Sequence, residues 1–143
     1  MNIRLATSED KQHILEVISV LHLDMPGFVW NQEDFVIRQI HDKEYFLAEE
    51  HGMVLGIISL RHGKNKIHIE TLAVAEKFRR QGVGAKLVEF AKQVARERNF
   101  AILHAYSFQE YGAGTFYAKQ GFRQLSETGA YNNHAYDCFE VEL

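Results

Sequence analysis

A change of apolar period near Ala75 constrains the fold of this chain more than any other feature. Residues 66–75 (KIHIETLAVA) form an apolar-rich run that is typical of a strand. Beyond Ala75 the apolar residues take helical spacing, at Val83, Leu87, Phe90, Ala91 and Val94. The sequence therefore predicts a strand, a turn and a long amphipathic helix that ends near Arg98.

The turn between this strand and helix has the chemistry of an anion site. It reads EKFRRQGVG over residues 76–84, with basic side chains at Arg79 and Arg80 and glycines at the predicted helix start. A helix N-terminus offers unpaired N–H groups and a partial positive charge, which suits a pyrophosphate. The nucleotide motif G-x-x-x-x-G-K-[ST] does not occur, and G-x-G-x-x-G fails because Leu87 stands where its last glycine is required.

The flanking segments predict the order β-α-α-β-β-β-α-β-α-β-β. The predicted strands are residues 2–6, 44–50, 53–62, 66–75, 100–106, 122–128 and 135–142, with a loop at 129–134. Four helices are predicted. The first begins after a Thr7–Asp10 capping box, and the second begins after a cap at Asn31. The third spans 82–98, and the fourth spans 110–120 and ends at Gly121. This order predicts an α/β (α+β mixed) fold with a mixed sheet and helices on its faces, in one domain over residues 1–143.

Composition excludes several classes of function. The chain carries 16 Lys and Arg against 19 Asp and Glu, a net charge of −3, without the basic stripe of a nucleic-acid binder. No apolar run approaches the roughly 18 residues of a membrane span, and the N-terminus has no apolar signal core. A single cysteine, Cys138, suits a reducing compartment. We therefore expect a cytoplasmic protein without nucleic-acid or membrane partners.

The eight histidines do not form a recognisable metal motif. No H-x-x-x-H helix pair and no Cys/His cluster occurs in the sequence. We expect no metal site.

Two segments resemble the GNAT N-acetyltransferase superfamily. RRQGVG at 79–84, preceded by LAV at 72–74, is similar to that family's R/Q-x-x-G-x-G/A motif and to the end of its fourth strand. FYAKQGF at 116–122 is similar to its F-Y-x-K-x-G-F segment. The element order also matches, so the resemblance covers nearly the whole chain. It implies a central twisted sheet of six to seven strands flanked by about four helices.

The resemblance implies that acetyl-CoA is the acyl donor, bound where the fourth and fifth strands diverge. The pantetheine arm would pair with the backbone of Leu72, Ala73 and Val74, like an added strand. The pyrophosphate would contact the turn formed by Arg79, Arg80, Gln81, Gly82, Val83, Gly84 and Ala85. The expected reaction is direct acetyl transfer to a primary amine in a ternary complex. The alternative is an acyl-CoA-binding module with this fold and little turnover.

The resemblance also nominates catalytic residues. Tyr117 occupies the position from which the family often protonates the departing sulfur, and it would also contact the donor. Glu70 lies on the predicted fourth strand, where a carboxylate is costly without a partner or a purpose. Related enzymes place a base on this strand, so Glu70 is the expected base. His68, His104 or an ordered water are the alternatives.

The acceptor is less constrained than the donor. The family often has Asn seven residues before the motif tyrosine, whereas this chain has Glu110, which puts the usual cofactor contact there in doubt. The segments that flank the acceptor in the family would here include Phe28, Val29, Trp30 and Tyr131. The acceptor could be a small amine, an amino acid or a protein amine. Many relatives dimerise, but nothing in this sequence specifies a homodimer.

Overall fold

A computed structural model describes all of residues 1–143. It contains four α-helices: α1 Lys11–Ile18, α2 Glu33–His41, α3 Val83–Glu97 and α4 Gly114–Lys119. It contains seven strands: β1 Asn2–Leu5, β2 Tyr45–Glu50, β3 Met53–His62, β4 Lys66–Val74, β5 Ile102–Phe108, β6 Arg123–Tyr131 and β7 His134–Glu142. The predicted order of elements is therefore confirmed.

The strands form one mixed sheet in the order β1-β2-β3-β4-β5-β7-β6. Strand β1 pairs with β2, β2 with β3, β5 with β7, and β6 with β7, each in the antiparallel sense. Strand β4 pairs with β5 in parallel, from Lys66–Ile102 to Ile69–Ala105. A long helical crossover is the normal connection between parallel neighbours, and α3 lies between β4 and β5 in the chain. The predicted mixed fold with seven strands and four helices is confirmed.

The chain divides into two compact units, of which the first comprises residues 1–60 and 71–87. Its core is an apolar cluster drawn from the first two helices and from strands β2 to β4. The principal members are Ile14, Ile18, Val36, Tyr45, Leu47, Ile57 and Ala73. Full burial of each large aliphatic side chain stabilises a fold by about 1.5–3 kcal/mol, so this cluster fixes α1 and α2 on the strands.

The second unit comprises residues 61–70 and 88–143, and its strands have two chemically different faces. Ile67, Ile69, Leu103 and Ala105 are buried, and they alternate with less buried, mostly polar residues along β4 and β5. Side chains point to opposite faces in turn along a strand, so the apolar residues share one face of the sheet. The other face presents a row of polar side chains.

Three details of the predicted elements are wrong. The helix after Asn31 begins at Glu33 with Gln32 at its cap position, and no side chain caps it. The predicted loop at 129–134 is instead the end of a long hairpin, because β6 and β7 pair as far as Tyr131 and His134. The helix expected over 110–120 is interrupted: a 3₁₀ turn spans Gln109–Tyr111 before α4 begins.

Two asparagines explain why the hairpin has a shorter turn than expected. Asn132 and Asn133 have φ of 46° and 68°. A two-residue turn with positive φ at both positions matches the twist of the flanking strands, and Asn tolerates that conformation better than most residues. Only two residues are therefore needed where the sequence suggested a six-residue loop.

The capping box at the first helix is confirmed. Asp10 accepts a hydrogen bond from the Thr7 backbone N–H at 2.7 Å, and two nitrogens of Arg4 donate to its two oxygens at 2.8 and 2.9 Å. These hydrogen bonds, chiefly those from Arg4, lower the pKa of Asp10 from 3.8 to about 2. The contribution to stability is therefore complete above pH 3.8 and is lost as the pH falls towards 2.

We predict that Asp10→Ala lowers the free energy of unfolding by about 1–2 kcal/mol at pH 7, because a cap and a partly buried ion pair are lost together. Denaturant titration of both proteins from pH 7 to pH 2 would show the difference shrinking below pH 4. Glu33→Ala, which removes the exposed Lys11–Glu33 pair, is the control and should cost less than about 0.5 kcal/mol. Equal losses in the two variants would contradict the assignment.

Candidate active site

The predicted anion site is an exposed turn at the start of α3. A 3₁₀ turn at Glu76–Phe78 follows β4, and residues 79–82 are exposed before the helix begins at Val83. Arg80 and Gly82 have positive φ, of 65° and 78°. A Cβ on Gly82 would have nothing within 4 Å, so its backbone conformation, not lack of space, favours glycine there.

The backbone of this turn is available to an anion. The Gly82 carbonyl accepts the N–H of Lys86 at 3.1 Å, which makes Gly82 the residue that precedes the first helical turn. The N–H groups of Val83, Gly84 and Ala85 precede the first intrahelical donor and so have no partner inside the helix. The side chains of Arg79 and Arg80 have no hydrogen bond or ion pair within the chain. Two free guanidinium groups and a helix N-terminus are thus combined in one turn.

Gly56 allows the end of β4 to lie close to the start of α3. A Cβ at residue 56 would lie 3.0 Å from the Ala73 carbonyl oxygen and 3.0 Å from side-chain atoms of Val83 and Leu87. Leu72 and Val74 are half-buried on either side of Ala73, and all three residues lie beyond the β4 residues that pair with β5. The backbone predicted to bind pantetheine is therefore not used in that ladder.

Glu70 lies in a polar cluster immediately after the last β4–β5 pair. Arg61 Nε donates to Glu70 Oε2 at 3.0 Å, and the Tyr106 hydroxyl donates to the same oxygen. The side chain of Glu70 is only 9 % exposed. Burial, reinforced by the negative charge of Glu70, raises the pKa of Tyr106, so its hydroxyl keeps its proton at neutral pH. A glutamate in this strand was expected to have a partner, and Glu70 has two, Arg61 and Tyr106.

His68 and His104 form a pair on the same face of the sheet. They are opposite each other in the parallel ladder, and their Nδ1 atoms are 3.0 Å apart. Burial, followed by the charge of Arg61, lowers the pKa of His68 to about 4. Burial also lowers the pKa of His104. At neutral pH both rings are therefore uncharged, and one Nδ1 donates to the other.

Tyr117 is buried among aromatic rings on the other face. Its ring stacks on Phe139 at 4.9 Å between centroids and meets Phe122 edge-on at 5.1 Å. Phe139 is opposite Ala105 in the β5–β7 ladder, so Tyr117 packs on the apolar face, whereas Tyr106 and Glu70 occupy the polar face. Burial raises the pKa of Tyr117. The two predicted catalytic residues are therefore not brought into contact with each other.

Glu110, which stands where the family often has Asn, pairs with His134 in the β6–β7 hairpin. This hydrogen bond lowers the pKa of the Glu110 carboxyl. Gln109 donates to Asp137 at 3.0 Å, so two neighbouring residues tie the start of the α4 region to the hairpin. Glu110 thus gives this segment a structural contact within the chain.

The aromatic residues expected near the acceptor lie in separate clusters. Phe28 is buried and meets Trp30 edge-on at 5.2 Å and His22 at 5.4 Å, while Val29 beside them is half-buried. Tyr131 lies 6.4 Å from Phe108 between ring centroids. Phe28 thus anchors its own loop by packing against neighbouring rings.

Sequence reasoning missed Arg61 and Tyr106 as members of the site. The signal for Arg61 was a charged residue directly after the apolar run of β3. The signal for Tyr106 was its period-2 relation to His104, which places both side chains on one face. Neither signal identifies the partner, because the Arg61–Glu70 contact depends on which strands are neighbours.

Comparison with known proteins agrees with the fold and the motifs. A model of the acetyltransferase (GNAT) family matches residues 15–122. The chain belongs to the GNAT acetyltransferase family. It contains no helix long and apolar enough to cross a membrane, and no group of three or more His, Cys, Asp or Glu residues arranged to hold a metal ion.

Individual relatives are distant. Mouse N-acetyltransferase family 8 member 7 is 25% identical over 119 residues, covering 78% of this chain and 50% of the mouse protein. An uncharacterised N-acetyltransferase of Chlorobaculum tepidum is 27% identical over 88 residues, covering 61% of this chain and 54% of its own. The chain therefore spans about half the length of these curated relatives.

Solved structures show the same fold. The PaiA N-acetyltransferase of Thermoplasma acidophilum, crystallised with coenzyme A, superposes with a TM-score of 0.81 at 16% identity. The match covers 99% of this chain and 98% of that one. At this identity the likeness establishes the fold alone.

We predict that His68 titrates with a midpoint near pH 4, because burial and the Arg61 charge oppose its protonation. NMR titration of the ring carbons, with His68→Gln to assign the resonance, measures this value. Arg61→Gln should raise the midpoint by removing the nearby positive charge. A wild-type midpoint near 6.5 would show that the ring is solvated and contradict the burial argument.

Proposed function

We propose that this protein transfers the acetyl group of acetyl-CoA directly to a primary amine. The observation that carries the proposal is the Arg79–Ala85 turn, where free backbone N–H groups and two unpaired guanidinium groups lie at a helix N-terminus in a GNAT chain. The complex of PaiA with coenzyme A supports the same donor class. The acyl group is supplied as a thioester, whose carbonyl carbon is the electrophile.

Donor binding is assigned to the residues at the end of β4 and the start of α3. The backbone of Leu72, Ala73 and Val74 would hydrogen-bond the amides of the pantetheine arm, as an added strand does. The N–H groups from Val83 to Ala85 would bind the pyrophosphate, with Arg79, Arg80 and Gln81 at its edge. Weakening of acetyl-CoA binding by salt follows from this charge pairing.

The acceptor must first lose a proton. An alkyl ammonium with a pKa near 10.4 costs about 4 kcal/mol to deprotonate at neutral pH. Glu70, oriented by Arg61 and Tyr106, is the proposed base, acting directly or through a water. The amine nitrogen then forms a bond to the carbonyl carbon and loses a proton to water, the carbon–sulfur bond breaks as the sulfur takes up a proton, and the products are an amide and coenzyme A.

Tyr117 is the proposed proton donor to the leaving sulfur. Its raised pKa keeps the hydroxyl protonated at neutral pH, and that hydroxyl has no hydrogen-bond partner within the chain. A thiolate leaving group with an ordinary pKa near 8.5 is stabilised by such a donor. The proposal thus assigns the two residues different steps: Glu70 serves the nucleophile, and Tyr117 serves the leaving group.

The direct experiment combines acetyl-CoA binding by calorimetry with a broad amine screen monitored by thiol release. Binding and turnover together support the proposal. Binding without turnover on any amine would instead identify an acyl-CoA-binding module. Absence of binding would exclude both.

We predict that Tyr117→Phe lowers kcat about 100-fold while changing the Kd for acetyl-CoA less than threefold, because the ring remains and only the proton donor is lost. Steady-state kinetics and calorimetry measure the two quantities. Tyr45→Phe, a change at another buried tyrosine, is the control and should leave kcat unchanged. Equal losses of kcat and affinity in Tyr117→Phe would show a packing role only.

We predict that Glu70→Gln lowers kcat/KM about 100-fold at pH 7, and that the loss shrinks as the pH approaches 10, where the free amine no longer needs a base. The pH profile of the variant measures this recovery. His68→Gln should lose much less activity at pH 7. A large loss in His68→Gln would make the histidine the base, and no loss in either variant would favour water.

A further inference from the structure

The polar face of the second unit contains several ion pairs. Its ion pairs involve the cations Arg61, Lys66 and Arg123 and the carboxylates Glu70 and Glu140. The histidine pair adds no charge at neutral pH, since burial lowers the pKa of both rings. An acceptor that brings a negative group would therefore pair with one of these cations rather than with the histidines.

Glu140 forms ion pairs with two of the three cations. It is nearly buried, it pairs with Lys66, and Arg123 lies 3.6 Å from its other oxygen. Lys66 therefore has its ammonium committed to a buried carboxylate. Arg61 is the cation of this face that hydrogen-bonds Glu70, the proposed base.

Arg61 uses only part of its guanidinium. Its Nε donates to Glu70 at 3.0 Å, its Nη2 lies 3.5 Å from the Tyr106 hydroxyl, and its Nη1 has no partner within the chain. The side chain is 47% exposed. A guanidinium has five N–H donors in a planar fork that matches a carboxylate, so the outer edge of Arg61 can bind one in a bidentate manner.

From this geometry we propose that the acceptor is a free α-amino acid, whose carboxylate binds Arg61 while its amine faces Glu70. The amine and the carboxylate of an α-amino acid are separated by one carbon, so both can reach a guanidinium and a carboxylate that are themselves in hydrogen-bond contact. This assignment rests on the acetyl-transfer function proposed above and specifies its acceptor.

Neighbouring rings indicate which amino acids to examine first. Tyr106 lies 5.7 Å from Tyr136, and Tyr136 lies 6.4 Å from Phe108, measured between ring centroids. Tyr106, the first of these rings, hydrogen-bonds Glu70. An aromatic side chain on the acceptor would have edge-on or offset partners there, so phenylalanine is the natural probe.

The test compares matched acceptors with and without the carboxylate. Initial rates of thiol release are measured with the twenty L-amino acids, their amides and their decarboxylated amines, together with spermidine and a lysine peptide. We expect kcat/KM for the best amino acid to exceed that of its amide and its decarboxylated amine by at least tenfold. For phenylalanine the matched compounds are phenylalaninamide and 2-phenylethylamine.

Arg61→Gln should reduce this ratio to about one. Because Arg61 also orients Glu70, the variant is expected to slow every acceptor, so the ratio and not the rate is the readout. Arg61→Lys should keep part of the preference, since a single charge remains without the planar fork. Arg123→Gln, a change at another arginine of the polar face, is the control and should leave the ratio unchanged.

The outcomes separate this inference from the function on which it rests. Acetylation of spermidine, the peptide or the decarboxylated amines in preference to the amino acids overturns the inference and leaves acetyl transfer intact. A carboxylate preference that survives Arg61→Gln overturns the role of Arg61. If Arg61→Gln does not fold, as judged by circular dichroism, the wild-type ratio and the Arg61→Lys ratio still decide. Donor binding without turnover on any amine overturns both proposals.

Discussion

The end of the parallel β4–β5 ladder determines where the polar cluster around Glu70 lies in the second unit. Backbone pairing covers Lys66 to Ile69 on one strand and Ile102 to Ala105 on the other. Glu70 and Tyr106 are the next residues on the two strands, and there a side-chain hydrogen bond joins them. A strand interior normally excludes a carboxylate, because burying a charge without a partner is costly. Here the partners are Tyr106 and Arg61, so the carboxylate is kept at the point where the ladder stops.

The turn before α3 combines a strained backbone conformation with a positive charge at Arg80. Arg80 has a φ of 65°, a conformation that costs an ordinary residue about 1–2 kcal/mol relative to glycine. Glycine at this position would relieve the strain but would remove a guanidinium from the helix N-terminus. The strained arginine is understandable if its charge serves a bound anion, which is a common location for backbone strain in proteins. Gly82, by contrast, satisfies its backbone conformation without strain.

Most of the fold was predictable because local patterns and the long-range arrangement agree. The period change at Ala75 identified β4 and α3, and the Thr7–Asp10 cap marked the first helix start. The errors arose where short-range signals compete. Asn31 lies two residues before the true start of α2. The glycine and asparagines near 129–134 suggested a loop, although only Asn132 and Asn133 form the turn of the hairpin. The candidate site was less predictable from the sequence, because the partners of Glu70 come from β3 and β5. Such contacts are set by strand neighbours and register, which a single sequence does not reveal.

The contact between His68 and His104 has a consequence for tautomers. With 3.0 Å between the two Nδ1 atoms, one ring carries its hydrogen on Nδ1 and the other on Nε2. The first proton taken up by the pair enters at Nε2 of the donor ring, and the Nδ1–H···Nδ1 hydrogen bond survives. A second proton would set two N–H groups against each other and separate the rings. Acidification therefore has two distinct stages at this point of the sheet: the first strengthens the link between β4 and β5, and the second breaks it.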